Sequence, residues 1–168
     1  MTTIESKSAA LAGQDRPLLF SKVLVPVDRS DNADRAFDCA LRLAKAISAQ
    51  VILLAVVEDI PAMTESYFPR YELQKVAEEG MDQYIEGLLH KAEKQYGVRP
   101  RGLVRNGHPV KVILEVAGEE KASSGTQSQS DLLIVMGSRG LGSFKQMLLG
   151  SVSHGVISHG GFPVLIVK

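Results

Sequence analysis

The chain has 168 residues, enough for one domain with a sizeable core, and its 45% hydrophobic and 23% charged composition is ordinary for a globular protein. Nineteen Lys and Arg balance nineteen Asp and Glu, which removes the global positive field that draws proteins to nucleic acid or anionic lipid. The single Cys39 excludes an intramolecular disulfide and a four-cysteine zinc site, and no apolar run approaches the ~20 residues that cross a bilayer, so the expected compartment is the cytoplasm.

Residues 1–18, rich in Ser, Thr, Ala and Gln, read as a loose leader ahead of a single domain over 19–168. A first strand is expected over 22–27, a nearly continuous apolar run of the kind a parallel sheet buries on both faces, and it stops at Asp28. Ser30 or Asp31 can cap the next helix. Asp34 adds negative charge to its first turn, and Ala33, Ala36, Phe37, Ala40, Leu41, Ala44 and Ile47 recur at three-and-four spacing. A second apolar strand covers 51–57, and residues 58–69, with two prolines and mixed polarity, form a loop long enough to fold over a neighbouring site.

A helical stripe of Leu73, Ala77, Met81, Tyr84, Ile85, Leu88, Leu89 and Ala92 runs through 70–96. Gly80 and Gly87 weaken it by about 1 kcal/mol each relative to Ala. A third strand is expected over 100–105, then a Gly107-His108-Pro109 turn and a helix marked by Val110, Ile113, Leu114 and Ala117. The low-complexity polar segment 122–130 reads as a surface loop. A fourth strand over 132–136, a helix over 151–158, a Gly160-Gly161 stop and a last strand over 163–167 complete the chain. Strands alternating with helices in this way predict an α/β fold, an open five-stranded parallel sheet with helices on both faces, whose ligand lies outside the carboxyl ends of the strands.

Gly137-Ser138-Arg139-Gly140 leaves the fourth strand, and after nine residues Gly150-Ser151-Val152-Ser153 opens the next helix. Glycines there let backbone amides approach an anion, and hydroxyls at a helix start add donors to its partial positive end. The pattern reads as a phosphate cradle, and Asp28 falls at the same edge of the sheet. Plain turns also use glycine after a strand, and an Asp before a helix often only caps it. Two familiar phosphate loops are excluded: Gly142 is followed by Ser143 and Phe144 where a Walker loop needs Lys and a hydroxyl residue, and Lys145 stands where a dinucleotide fingerprint needs glycine. His154 and His159, five apart, do not share a helix face, and His90 and His108 have no clustered partners, so the histidines are read as surface or packing residues. The methionines are read as packing residues, with Met136 adjoining the cradle.

These residues resemble the nucleotide-binding branch of the universal stress protein family, whose signature is Gly, two residues, Gly, nine residues, then Gly with Ser or Thr. Gly137, Gly140, Gly150 and Ser151 match it, and the likeness runs from Lys22-Val23-Leu24-Val25-Pro26-Val27-Asp28 through Val51-Ile52-Leu53-Leu54 to Pro163-Val164-Leu165-Ile166-Val167. The resemblance implies a strand order of 3-2-1-4-5 and an adenine nucleotide, ATP or AMP, bound across strands one and four. Pro26, Val27, Asp28, Val56 and Met136 would then line the nucleoside side. Gly137, Arg139, Gly140, Gly150, Ser151, Val152 and Ser153 would surround ribose and phosphates, with any Mg or Mn ion riding on the phosphates. Ala55 stands where many members carry His. The resemblance also implies a homodimer formed through the C-terminal strand 162–167, an edge that a monomer would leave open.

The leading expectation is an ATP-binding cytoplasmic protein whose nucleotide state alters dimer shape or contacts with a protein partner, as a sensor or switch in the stress response. No catalytic base is identifiable. The alternatives are a slow ATPase or autokinase, with Asp28 orienting water or magnesium and Arg139 on the transferred phosphate, and a nucleotide-free interaction dimer whose glycines serve packing.

Overall fold

A computed structural model describes residues 20–60, 69–123, 131–140 and 149–168. The expected leader over 1–18, most of the loop 58–69, residues 124–130 of the polar segment and residues 141–148 between the two glycine clusters lie outside the described residues. In chain order the elements are β1 (Lys22–Val27), α1 (Asp31–Ile47), β2 (Gln50–Val57), α2 (Arg70–Tyr96), β3 (Arg101–Asn106), α3 (Pro109–Ala122), β4 (Leu132–Gly137), α4 (Ser151–His159) and β5 (Val164–Val167). The strands form one parallel sheet in the order β3-β2-β1-β4-β5, as expected.

Burial on both faces explains why the central strands read as unbroken apolar runs. Val23 and Val25 of β1, Leu53 of β2 and Val135 of β4 pack with Ala36, Phe37 and Ala40 of α1 and Ile85 and Leu88 of α2. Leu24, Ile52 and Ile134 point the other way, toward Val112, Ile113 and Val116 of α3 and Val156 of α4. Side chains one apart on a strand thus serve different cores. The buried stripe of α1 combines Ala33, Ala36, Ala40 and Ala44 with the fully buried Phe37 and Leu41.

Helix ends follow local chemistry. Ser30 rather than Asp31 is the N-cap of α1, its Oγ accepting from the Ala33 amide at 3.2 Å. Pro109 opens α3 at a position whose amide has no helical acceptor. Strand limits differ slightly from expectation. β3 lies one residue later, and β5 begins at Val164 rather than 162 or 163. Pro163 has no amide to donate to a ladder, and only its carbonyl is used, accepting from the Ile134 amide at 3.0 Å. At the opposite end of the sheet from the glycine motif, Glu120 of α3 lies 3.1 Å from Lys22 Nζ of β1 and pairs with Arg101 of β3.

Candidate functional site

The chain leaves β1 toward α1 on one face of the sheet and leaves β4 toward α4 on the other. The two connections part company at the carboxyl ends of adjacent strands, which opens a crevice there. On the β1 side, Asp28 Oδ1 accepts from the Ser30 amide at 3.1 Å. Ser30 Oγ, besides capping α1, donates to the Arg139 carbonyl at 3.4 Å and so joins this turn to the loop after β4.

That loop is stapled at its base. The Ser138 amide donates to the Val167 carbonyl at 2.7 Å, and the Ser138 carbonyl accepts from the Gly150 amide at 2.7 Å. Gly150 is the N-cap of α4 and makes no side-chain cap bond. The amides of Ser151, Val152 and Ser153 have no acceptor within the helix, so the crevice meets donors at the positive end of a helix dipole. Ser151 is exposed there. Ser153 differs, being 2% exposed, with its hydroxyl 3.1 Å from the Ser138 carbonyl and 3.0 Å from that of Gly150. Its one proton serves the loop, so the hydroxyl is committed to the protein's own backbone.

The glycines stand where backbone or carboxylate passes closest. A Cβ at Gly137 would lie 2.8 Å from the carbonyl carbon of Asn32, and one at Gly150 would lie 3.3 Å from Cα of Arg139. At Gly140 it would overlap the Asp28 carboxylate. The Gly140 backbone and the Asp28 side chain therefore meet across the switch point, one in the connection after β4 and one in the connection after β1.

The described residues enclose a cavity of about 970 Å³ at this place, within the roughly 300–1,000 Å³ range of small-molecule sites. All of Pro26, Val27, Asp28, Val56, Met136, Gly137, Arg139, Gly140, Gly150, Ser151, Val152 and Ser153 line it. One side is polar, made by Asp28, the glycine loop and the start of α4. The apolar lining comes from both faces of the sheet, Leu54, Val56 and Ile113 on the side of α3 and Val57 with Val76, Ala77 and Met81 on the side of α2. The α2 wall and Arg29 were not singled out from sequence. Met81, assigned to packing, serves both ends, since it packs on the core and lines the cavity. Among the described residues no cluster of three or more His, Cys, Asp or Glu is placed to hold a metal ion, and no helix is long and apolar enough to cross a membrane.

The profile of the universal stress protein family matches residues 19–168. This chain belongs to the universal stress protein family. Universal stress protein YxiE of Bacillus subtilis is 35% identical over 157 residues, covering 89% of this chain and the whole (100%) of that protein. Universal stress protein UspA from Lactobacillus plantarum superposes with a TM-score of 0.76 over 89% of this chain and 98% of that one, and at 24% identity supports the fold. A universal stress protein solved in complex with cAMP is 28% identical, with a TM-score of 0.61 over 89% of this chain and 98% of its own. The family match covers β1 to β5 and every residue of the cavity described above.

Proposed function

We propose that this universal stress protein binds ATP, or another adenine nucleotide, in the cavity between β1 and β4, and acts in the cytoplasm as a homodimeric sensor or switch whose nucleotide state changes its contacts with a protein partner. The observation that carries this reading is the division of one cavity into two chemistries. An apolar slot lined by Val56 and Met136 adjoins the loop of Gly137, Gly140 and Gly150 and the start of α4. A purine suits the first part. Phosphates suit the second, where backbone donors and a helix N-terminus cost no reorganisation. Asp28 lies at the junction. Arg139, on the glycine side, adds positive charge, and a Mg or Mn ion would be held through the phosphates. A relative solved with cAMP supports an adenine ring and a phosphate as the ligand's parts.

The test is to release and identify whatever nucleotide accompanies the freshly purified protein, then to titrate ATP, AMP and cAMP into emptied protein by calorimetry. Stoichiometric nucleotide or rebinding at micromolar or tighter affinity is the expected result. Absence of both would overturn the reading and leave an interaction protein whose glycine loop serves the fold.

A further inference from the structure

The half of α2 that walls the cavity has little core of its own. The helix buries Ile85, Leu88 and Ala92, and no residue between Arg70 and Gly80 is buried. Yet Val76, Ala77 and Gly80 line the cavity, with Val76 67% exposed. Polar contacts hold this segment instead. Gln74 Oε1 accepts from the Ile60 amide at 3.2 Å, and Asn106 Nδ2 donates to Glu78 Oε1 at 2.6 Å. Arg29 donates to the Gly80 carbonyl, and its guanidinium lies 5.6 Å from the centre of the Tyr84 ring. The Tyr84 hydroxyl donates to Asp34 Oδ1 at 2.9 Å, which fixes the ring to α1.

The local geometry of Arg29 and Gly80 suits this contact. Arg29 has φ 67°, in the left-handed region that non-glycine residues rarely occupy, and it follows directly on Asp28. A Cβ on Gly80 would lie 3.2 Å from the Arg29 guanidinium. A residue poorly suited to a helix interior thus sits where the arginine passes closest.

We propose that Arg29 is a positioning residue of the cavity: by joining the turn after β1 to the backbone of α2 at Gly80, it sets the width of the slot between the ends of β1 and β2 and the Val76–Met81 wall. In its ligand-binding consequence the proposal rests on the nucleotide reading above, whereas the clamp itself exists without ligand. A guanidinium lining a cavity has another conceivable use, direct pairing with phosphate, and that use makes a different forecast. A clamp affects every ligand that fills the slot equally, while a phosphate partner affects ligands in proportion to their phosphates.

Arg29→Gly retains the left-handed turn without steric cost and deletes the clamp; Arg29→Lys keeps the charge but loses the planar fork. Hydrogen exchange on ligand-free protein is expected to speed by about tenfold at the amides of residues 74–80 in Arg29→Gly, with residues 85–96 unchanged. Unchanged exchange at 74–80, or acceleration spread evenly over the helix, would overturn the proposal. Adenosine, AMP and ATP should then all bind about tenfold more weakly to Arg29→Gly, with Arg29→Lys intermediate. A loss confined to ATP would overturn it in favour of a phosphate contact. If none of the three binds the unaltered protein, the nucleotide reading fails and the exchange experiment still decides the clamp.

Discussion

A Cβ placed on Gly137 would meet the backbone of Asn32 at 2.8 Å, whereas one placed on Gly140 would meet only the end of the Asp28 side chain. The two glycines of one motif therefore make opposite forecasts. Asn32 belongs to the first turn of α1, so Gly137→Ala must move a helix against the sheet, and overpacking of that kind costs about 1–3 kcal/mol. Its melting temperature should fall by several degrees. In Gly140→Val the added branch displaces only the Asp28 carboxylate, so the fold should survive, but on the proposed nucleotide reading it crowds the junction where ribose and phosphates would sit. ATP affinity in that variant should drop by about tenfold or more, which corresponds to ~1.4 kcal/mol. A folded Gly140→Val protein with undiminished affinity would count against the cradle. The contrast between Ser151 and Ser153 is of the same kind. Both hydroxyls carry the motif's chemistry in the sequence, but the 2% exposure of Ser153 turns its proton toward the Ser138 and Gly150 carbonyls.

Among the elements, α3 is tied to the sheet by charge as well as by its apolar stripe. Lys22 Nζ of β1 reaches the Glu120 carboxylate at 3.1 Å, the Glu120 carbonyl at 2.7 Å and Ser123 Oγ at 2.6 Å, and Arg101 of β3 pairs with the same carboxylate. Burial by itself raises the Glu120 pKa, but the hydrogen bonds and charges of Lys22 and Arg101 outweigh it and hold the carboxyl below its ordinary value. The sign follows from linkage. An acid with a lowered folded-state pKa contributes stability that is fully present above its unfolded value and is lost as pH falls through the lowered folded value. Glu120→Gln should therefore cost about 1–3 kcal/mol at neutral pH, where Lys22 and Arg101 lose their counter-charge. The difference from the unaltered protein should shrink in acid, below the usual carboxylate range. Urea unfolding at neutral and acid pH measures both, and a difference independent of pH would show that the network contributes nothing through its charge. α2 lies at the other extreme, with a buried C-terminal half and a polar-clamped N-terminal half that borders the cavity.

At the scale of the whole molecule, the parallel sheet was legible because its central strands are apolar on both faces and alternate with helical stripes. The place of the cavity was legible because a glycine loop and an aspartate each followed such a strand. What sequence did not disclose depends on contacts between distant residues. Arg29 and Gly80 are 51 positions apart, and Gly80 reads locally as a weak point in a helix rather than as clearance for an arginine. The open side of β5 belongs with these long-range features. The carbonyls of Pro163 and Val167 face β4, so strand alternation directs the backbone groups of Val164 and Ile166 to the outside, and Leu165 is 37% exposed. Among the described residues no strand pairs with this edge of β5; such an edge invites a second strand, and a twofold pairing of β5 with its own copy would close it. The proposed dimer would then touch the cavity through the β4–β5 ladder, where Met136 and Gly137 pair with Ile166 and Val167, and through the 2.7 Å bond from the Ser138 amide to the Val167 carbonyl. Leu165→Lys places a charge on the edge without disturbing a fully buried site, so sedimentation should find the unaltered protein dimeric at micromolar concentration and the variant monomeric with a near-native melting temperature. If nucleotide state and dimer shape are coupled through these contacts, reciprocity requires that the factor by which ATP tightens or loosens the dimer equal the factor by which dimerisation changes ATP affinity. Equal ATP affinity in the dimer and in the Leu165→Lys monomer would separate the two functions, leaving the cavity and the edge as independent features of one fold.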